Sequence, residues 1–425
     1  MQGWYLSPDV DTSGIDRDYI ELDTIFQKRG ADKTRFLLRL CRPKIAGCFV
    51  TLIFVLWRIH MTASFAEYRQ LAQSLSVDAL ALVPGPNFTR SLGHSFMSHE
   101  RPFVLVIPAV GAPAAIVPNL ELGSWELVNF EGKVFDWRDQ DGYQAAFDAL
   151  AAHMPMKRLA VEGQVMRVFV HHALKQANPD LEIIDAEKQI SGLRMVKSEA
   201  DVAALQKAVA LSERALHRVL AEVQVGQTEK EIESRLIQAL FSEGADDLAF
   251  TPIVVASDNA ARVHGHARED YKIQSGDALL FDFGARKDGF CADITRTVFV
   301  AEVSDEARAV YETVLAANMA GLAATRAGVT AHQIDDVVIG LLEASPYAEH
   351  IETKTGHGLG RDVHEAPYIM RGNHQVLPAG TVYTNEPGLY LAGKFGVRIE
   401  DDVLITEEGC QVLTQFPKEL TIVGS

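Results

Sequence analysis

Cysteine is scarce in this 425-residue chain: only Cys41, Cys48, Cys291 and Cys410, with no Cys-x-x-Cys pair. That is too sparse for a disulfide scaffold, so a reducing compartment, the cytoplasm, is the default expectation. Basic charge is also short. Forty Lys and Arg face 57 Asp and Glu, a formal net charge of −17. Without a basic footprint a chain displaces few phosphate counterions, so no nucleic-acid partner is expected. A bilayer-length apolar stretch is missing too. Ile45–Trp57 is apolar over thirteen residues, which rise about 20 Å as a helix against a bilayer core of about 30 Å. With 48% hydrophobic and 23% charged residues, the composition is that of a globular protein, and its length predicts two or three domains.

The apolar run does follow a basic flank. Seven basic residues and one acid, Asp32, lie between Lys28 and Lys44, the pattern of a signal or anchor. No small-residue cleavage site follows convincingly. Three readings stay open for residues 1–60: an export signal or membrane anchor, an ordinary buried element, or upstream translation with Met61 as the true start. Membrane contact is expected only if this segment belongs to the working protein.

From residue 61 to about 190 the pattern is α/β. SFAEYRQLAQSL, GYQAAFDALAAHM and MRVFVHHALKQA read as helices between the strand-length runs DALALVPG, PFVLVIP, PAAIVP and KRLAVEG; the alternation predicts a parallel or mixed sheet covered by helices. From residue 191 the regime changes. Ser198–Asp201 and Thr228–Glu231 resemble capping boxes and open two helices, followed by strand-like segments. Ser304 and Thr330 open a second pair of helices, again followed by strands.

The second regime is an internal repeat. Gly226-x-Thr228-x-x-x-Ile232 returns as Gly328-x-Thr330-x-x-x-Ile334, 102 residues on. Asp282 and Asp293 find counterparts in Glu386 and Glu400 at offsets of 104 and 107, and His264 in His364 at 100. Two halves each delivering a pair of acids would set four carboxylates around a pseudo-two-fold axis. FDFGARKDGFCADITRTVFV reads as a hairpin turning near Lys287–Gly289, which predicts Asp282 directly opposite Asp293 on one face. In GVRIEDDV, alternation places Arg398 and Glu400 on one face, Val397 and Ile399 on the other. Clustered acids repel unless neutralised. His357, flanked by glycines in TGHGLG, adds an imidazole. Four carboxylates with one imidazole suit two divalent ions sharing bridges better than a structural zinc. His364-Glu365 is not a helical HExxH motif, because Pro367 follows and the second histidine is missing.

At these residues the sequence resembles the pita-bread metallopeptidases, in the proline-specific branch of aminopeptidase P and prolidase. The resemblance runs from residue 61 to about 420. Methionine aminopeptidases largely lack the first domain and fit less well. It implies an α+β fold: an N-terminal α/β creatinase/prolidase-type domain (61–190), then a pseudo-two-fold pita-bread catalytic domain (191–425). It implies two divalent ions, manganese first, with cobalt, iron or zinc as alternatives. Asp282 would chelate one, His357 and Glu386 the other, with Asp293 and Glu400 bridging. Creatinase, and pita-bread modules in chromatin factors, share the fold without these ligands.

The resemblance further implies a homodimer acting on peptides with proline in second position. Activity would be hydrolysis of the Xaa-Pro bond, as aminopeptidase or dipeptidase, by a bridging hydroxide. Glu386 would shuttle the proton, and His364 with His264 would stabilise the oxyanion. Because the segment reads VHGHA, His266 is an alternative first histidine. Arg398 and Tyr390 would shape the pocket and brace the site. Two other readings are a pita-bread module that binds a peptide or protein without cleaving it, and a related hydrolase or lyase with a non-peptide substrate.

Overall fold

The computed structural model describes residues 65–97 and 99–424; the basic-then-apolar segment, with its three readings, lies outside them. Among the described residues no helix is long and apolar enough to cross a membrane.

The first part is a six-stranded sheet. Its strands are β1 (Ala79–Leu82), β2 (Val104–Pro108), β3 (Ala114–Pro118), β4 (Lys133–Trp137), β5 (Arg158–Val161) and β6 (Glu182–Asp185). Their order is β4-β3-β2-β1-β5-β6. β2 runs antiparallel to both β1 and β3, while the β3–β4, β1–β5 and β5–β6 pairs are parallel. β1, β2 and β3 are buried at every position: alternate residues feed two cores, Leu80 and Leu82 into one, Ala79 and Ala81 into the other. A sheet covered on both faces therefore reads as continuous apolar runs. The edge strands β4 and β6 mix charged and half-buried residues and escape a search for such runs. Helix Glu187–Gly192 spans the expected boundary at 190/191.

The second part holds two similar layers. Helices Glu199–Leu220 and Glu229–Ser242 pack on strands Ile253–Ala256, Ala278–Phe283 and Ile294–Val300. Helices Asp305–Ala324 and Ala331–Glu343 accompany the sheet containing Gly356–Gly358, Val382–Asn385 and Asp401–Ile405. Ser198, Thr228 and Thr330 each close a full capping box, and Ser304 caps helix Asp305–Ala324. Each such cap contributes about 1 kcal/mol. Gly226 and Gly328 precede the equivalent helices with φ of 92° and 88°, a left-handed turn that glycine adopts without cost. The architecture is thus α+β, a creatinase/prolidase-type α/β part followed by a pita-bread fold.

The hairpin register differs from the sequence-based expectation. Asp282 pairs with Thr295, not Asp293. The turn is the two-residue Asp288-Gly289, both with positive φ, between the pair Lys287 and Phe290. Such a primed turn matches strand twist and sets the register. The displacement is two residues, an even number, so Asp282 and Asp293 still face the same side.

Candidate metal centre

The acids arrive at the ends of strands that the repeat makes equivalent. Asp282 is the penultimate residue of Ala278–Phe283, and Glu386 directly follows Val382–Asn385. Asp293 immediately precedes Ile294–Val300, and Glu400 immediately precedes Asp401–Ile405. His357 is the middle residue of Gly356–Gly358. A Cβ at Gly356 would lie 1.8 Å from the Thr384 carbonyl oxygen, and one at Gly358 would lie 2.2 Å from that of Ala366. Only glycine lets this strand sit so close to its neighbours.

These side chains converge. Asp282, Asp293 and Glu400 offer oxygens within 4.8 Å of one another, as do the ligand atoms of His357, Glu386 and Glu400, and those of Asp293, His357 and His364. His357 Nε2 is 3.2 Å from Glu386 Oε1 and 3.6 Å from Asp293 Oδ2. Its Nδ1 is 3.0 Å from the Gly358 carbonyl; a carbonyl only accepts, so Nδ1 donates there, and Nε2 is the ring atom that faces the carboxylates. Asp282, Asp293, His357 and Glu400 are all buried.

The electrostatics call for positive charge. Burial, then the charges of Glu400, Asp282 and Glu386, pushes Asp293 well above the ordinary carboxylate range. Burial and the neighbouring Glu386 and Asp282 do the same to Glu400. Asp282 is raised by burial despite its ion pair with Arg398. Burial also raises Glu386, but contact with His357 and the charges of His357, Arg398 and Lys354 outweigh it, and its net shift is downward. Buried acids that repel one another are the donor set of a cation site. Asp282 Oδ1 is buried with no hydrogen-bond partner, a coordination position left free by the protein. These residues fit divalent metal.

Arg398 touches both this cluster and Tyr390. Arg398 donates to Asp282, to Tyr390 Oη at 2.8 Å and to Thr295 Oγ1 at 3.0 Å. Thr295 in turn donates to Glu400 Oε2 at 2.6 Å. Thr384 donates to Glu386 Oε1 at 3.1 Å and accepts from the His357 amide. Sequence reasoning missed both threonines. Each lies two residues from a ligand (Asp293, Glu386), so period-2 alternation would have placed them on the ligand face. The His364 ring is centred 3.9 Å from that of His357. Desolvation and the His357 charge bring its pKa down to about 4 even though the residue is exposed; it is therefore neutral and able to donate at neutral pH. His264 also acts on His364 electrostatically. Neither His264 nor His266 is buried. His266 is tied by its carbonyl to Asn259 Nδ2 at 2.9 Å.

A double-layered pita-bread fold with convergent acids and histidine defines a class, the metal-dependent hydrolases of this architecture. Comparison with known proteins narrows it. The pattern of metallopeptidase family M24 matches residues 203–407, and the creatinase/prolidase N-terminal domain matches 65–196. The chain is 33% identical to the probable dipeptidase PepE of Mycobacterium tuberculosis over 367 residues, 84% of this chain and 96% of that protein. Among solved structures, prolidase from Thermococcus sibiricus superposes with a TM-score of 0.80 at 34% identity, covering 84% of this chain and 98% of that one. X-Pro aminopeptidase from Thermotoga maritima gives 0.72 at 31%, covering 83% and 98%. This chain belongs to metallopeptidase family M24.

Proposed function

We propose that the protein hydrolyses the peptide bond between an N-terminal residue and a following proline, using two divalent ions. The observation that carries this reading is the convergence of Asp282, Asp293, His357, Glu386 and Glu400 on one buried site, in a chain resembling prolidase and X-Pro aminopeptidase along most of its length. Asp282 and His357 with Glu386 would hold separate ions, and Asp293 and Glu400 would bridge. Manganese leads, with cobalt, iron or zinc as alternatives, because oxygen ligands dominate. When bound, such ions supply Lewis acidity to a carbonyl oxygen and make a water acidic at neutral pH.

The chain's own groups do the rest. Glu386, its pKa held down, is ionised; at a carboxylate oxygen it takes a proton from the water that adds to the carbonyl carbon, and returns it to the proline nitrogen as the C–N bond breaks. Neutral His364, with His264, donates hydrogen bonds to oxygen as negative charge develops there. Arg398 fixes Asp282 and, through Thr295, Glu400. The domain limits at 61–190 and 191–425, cytoplasmic residence and a homodimer belong to the same reading.

The test is hydrolysis of an Xaa-Pro dipeptide beside an Xaa-Pro-Yaa tripeptide, with manganese and with chelator. Wild type should be active with metal, and Glu386→Ala should lose at least about 100-fold in kcat. Full manganese-dependent turnover by Glu386→Ala would refute the assignment, and cleavage of the dipeptide alone would select a prolidase.

A further inference from the structure

The histidines on 262–266 lie on a segment with no helix or strand of its own, between a short helical turn, Ser257–Ala261, and strand Ala278–Phe283. What holds that segment is a carboxylate outside the metal site. Glu229, the first residue of helix Glu229–Ser242, has no solvent exposure. It accepts five hydrogen bonds: from the Ala256 amide at 2.7 Å, Asn259 Nδ2 at 2.9 Å, the Arg268 amide at 2.7 Å, Arg268 Nε at 3.1 Å and Nη2 at 3.0 Å. These donors bracket the segment, from Ala256 on one side of the histidines to Arg268 on the other. Charge-assisted, forked bonds of this kind are the strong ones.

Asn259 carries the clamp inward, its Nδ2 shared between Glu229 Oε2 and the His266 carbonyl. The turn also presses on the strand bearing Arg398. A Cβ at Gly396 would lie 2.0 Å from the Ala260 carbonyl oxygen. The second half of the repeat uses a comparable device. Asp335, buried on Ala331–Glu343, accepts from the Thr355 amide at 2.8 Å and the Arg371 amide at 2.9 Å, holding the chain two residues before His357.

We infer that Glu229 is a positioning residue: through Asn259 and Arg268 it fixes the segment that carries His264, without touching substrate or metal. The inference rests on the reading of His264 as an active-site histidine. A side chain displaced by about 1 Å costs up to about 100-fold in rate, so Glu229→Gln should lower kcat about 10- to 100-fold with KM and bound metal unchanged. A general stabilising role would reduce activity equally in any background, whereas a role exercised through His264 disappears once His264 is gone.

The experiment is a double-mutant cycle of Glu229→Gln and His264→Ala on the full-length, manganese-loaded protein with an Xaa-Pro dipeptide, alongside amide hydrogen exchange of the metal-free protein. Glu229→Gln should cost less than about 2-fold in the His264→Ala background, and exchange should rise over 262–268 but not over 278–283. Equal losses in both backgrounds, or unchanged exchange over 262–268, would overturn the inference. Should Glu229→Gln fail to fold, Asn259→Ala takes its place, leaving the Glu229–Arg268 pair intact; additivity with His264→Ala then overturns the inference. Should wild type cleave no Xaa-Pro peptide, the proposed function falls while the exchange comparison still decides whether Glu229 holds the segment.

Discussion

Replacing Glu162 by Gln should stabilise the protein at alkaline pH and leave it unchanged at acidic pH. Glu162 directly follows β5 and is 2% exposed. Its Oε1 accepts from Asn87 Nδ2 at 2.7 Å, while Oε2 has no partner. Burial raises its pKa from 4.5 to about 7, against the opposing effects of the Asn87 hydrogen bond and the Arg194 charge. Between those two values the native protein holds a proton that the unfolded chain has released. Stability from this group is therefore fully present below about 4.5 and is lost as pH rises through 7. A shift of that size corresponds to at most about 3.4 kcal/mol. Gln keeps the acceptor for Asn87 and is neutral throughout. In urea titrations followed by tryptophan fluorescence, Glu162→Gln should match wild type within about 1 kcal/mol at pH 5 and exceed it by about 2–3 kcal/mol at pH 8.5. A difference between the two proteins that is the same at both pH values would refute the burial argument.

Three further outcomes follow from the site. Manganese at about 100 times its Kd should stabilise the protein by about 2.7 kcal/mol, read as a rise in Tm that chelator reverses; a Tm indifferent to divalent metal would count against the centre. Arg398→Met removes the cation paired with Asp282 and the donor to Thr295, and should lower kcat at least about 100-fold, with metal content reporting whether the ligands still hold. Arg296, 2% exposed, binds Asp401 Oδ1 at 2.9 Å and the Phe416 carbonyl at 2.7 Å; Arg296→Met should cost about 3 kcal/mol in urea unfolding, since a buried carboxylate loses a partner.

The chain order of the clustered groups was legible from residues alone. The paired offsets of Asp282 with Glu386 and Asp293 with Glu400, the capped helices at Thr228 and Thr330, and the glycines around His357 all stand in the sequence, because they depend on local backbone rules and on repetition. The buried strands β1 to β3 were equally plain, since a strand covered on both faces must be apolar throughout. The edge strands β4 and β6 were not, because half their residues face water and imitate a loop.

Tertiary structure decided the rest. The register opposing Asp282 to Thr295 depends on where the turn is centred: placing it at Asp288-Gly289, one residue further on, shifts every pairing by two. Thr295 and Thr384 became visible as supports only when their hydroxyls were found beside Glu400 and Glu386. Glu229, an ordinary helix-opening acid in the sequence, acquires its part from partners 27 to 39 residues away. Residue type and spacing determine which groups can bind metal. Which distant donors meet a given carboxylate depends on how the chain closes upon itself, and no local pattern records that.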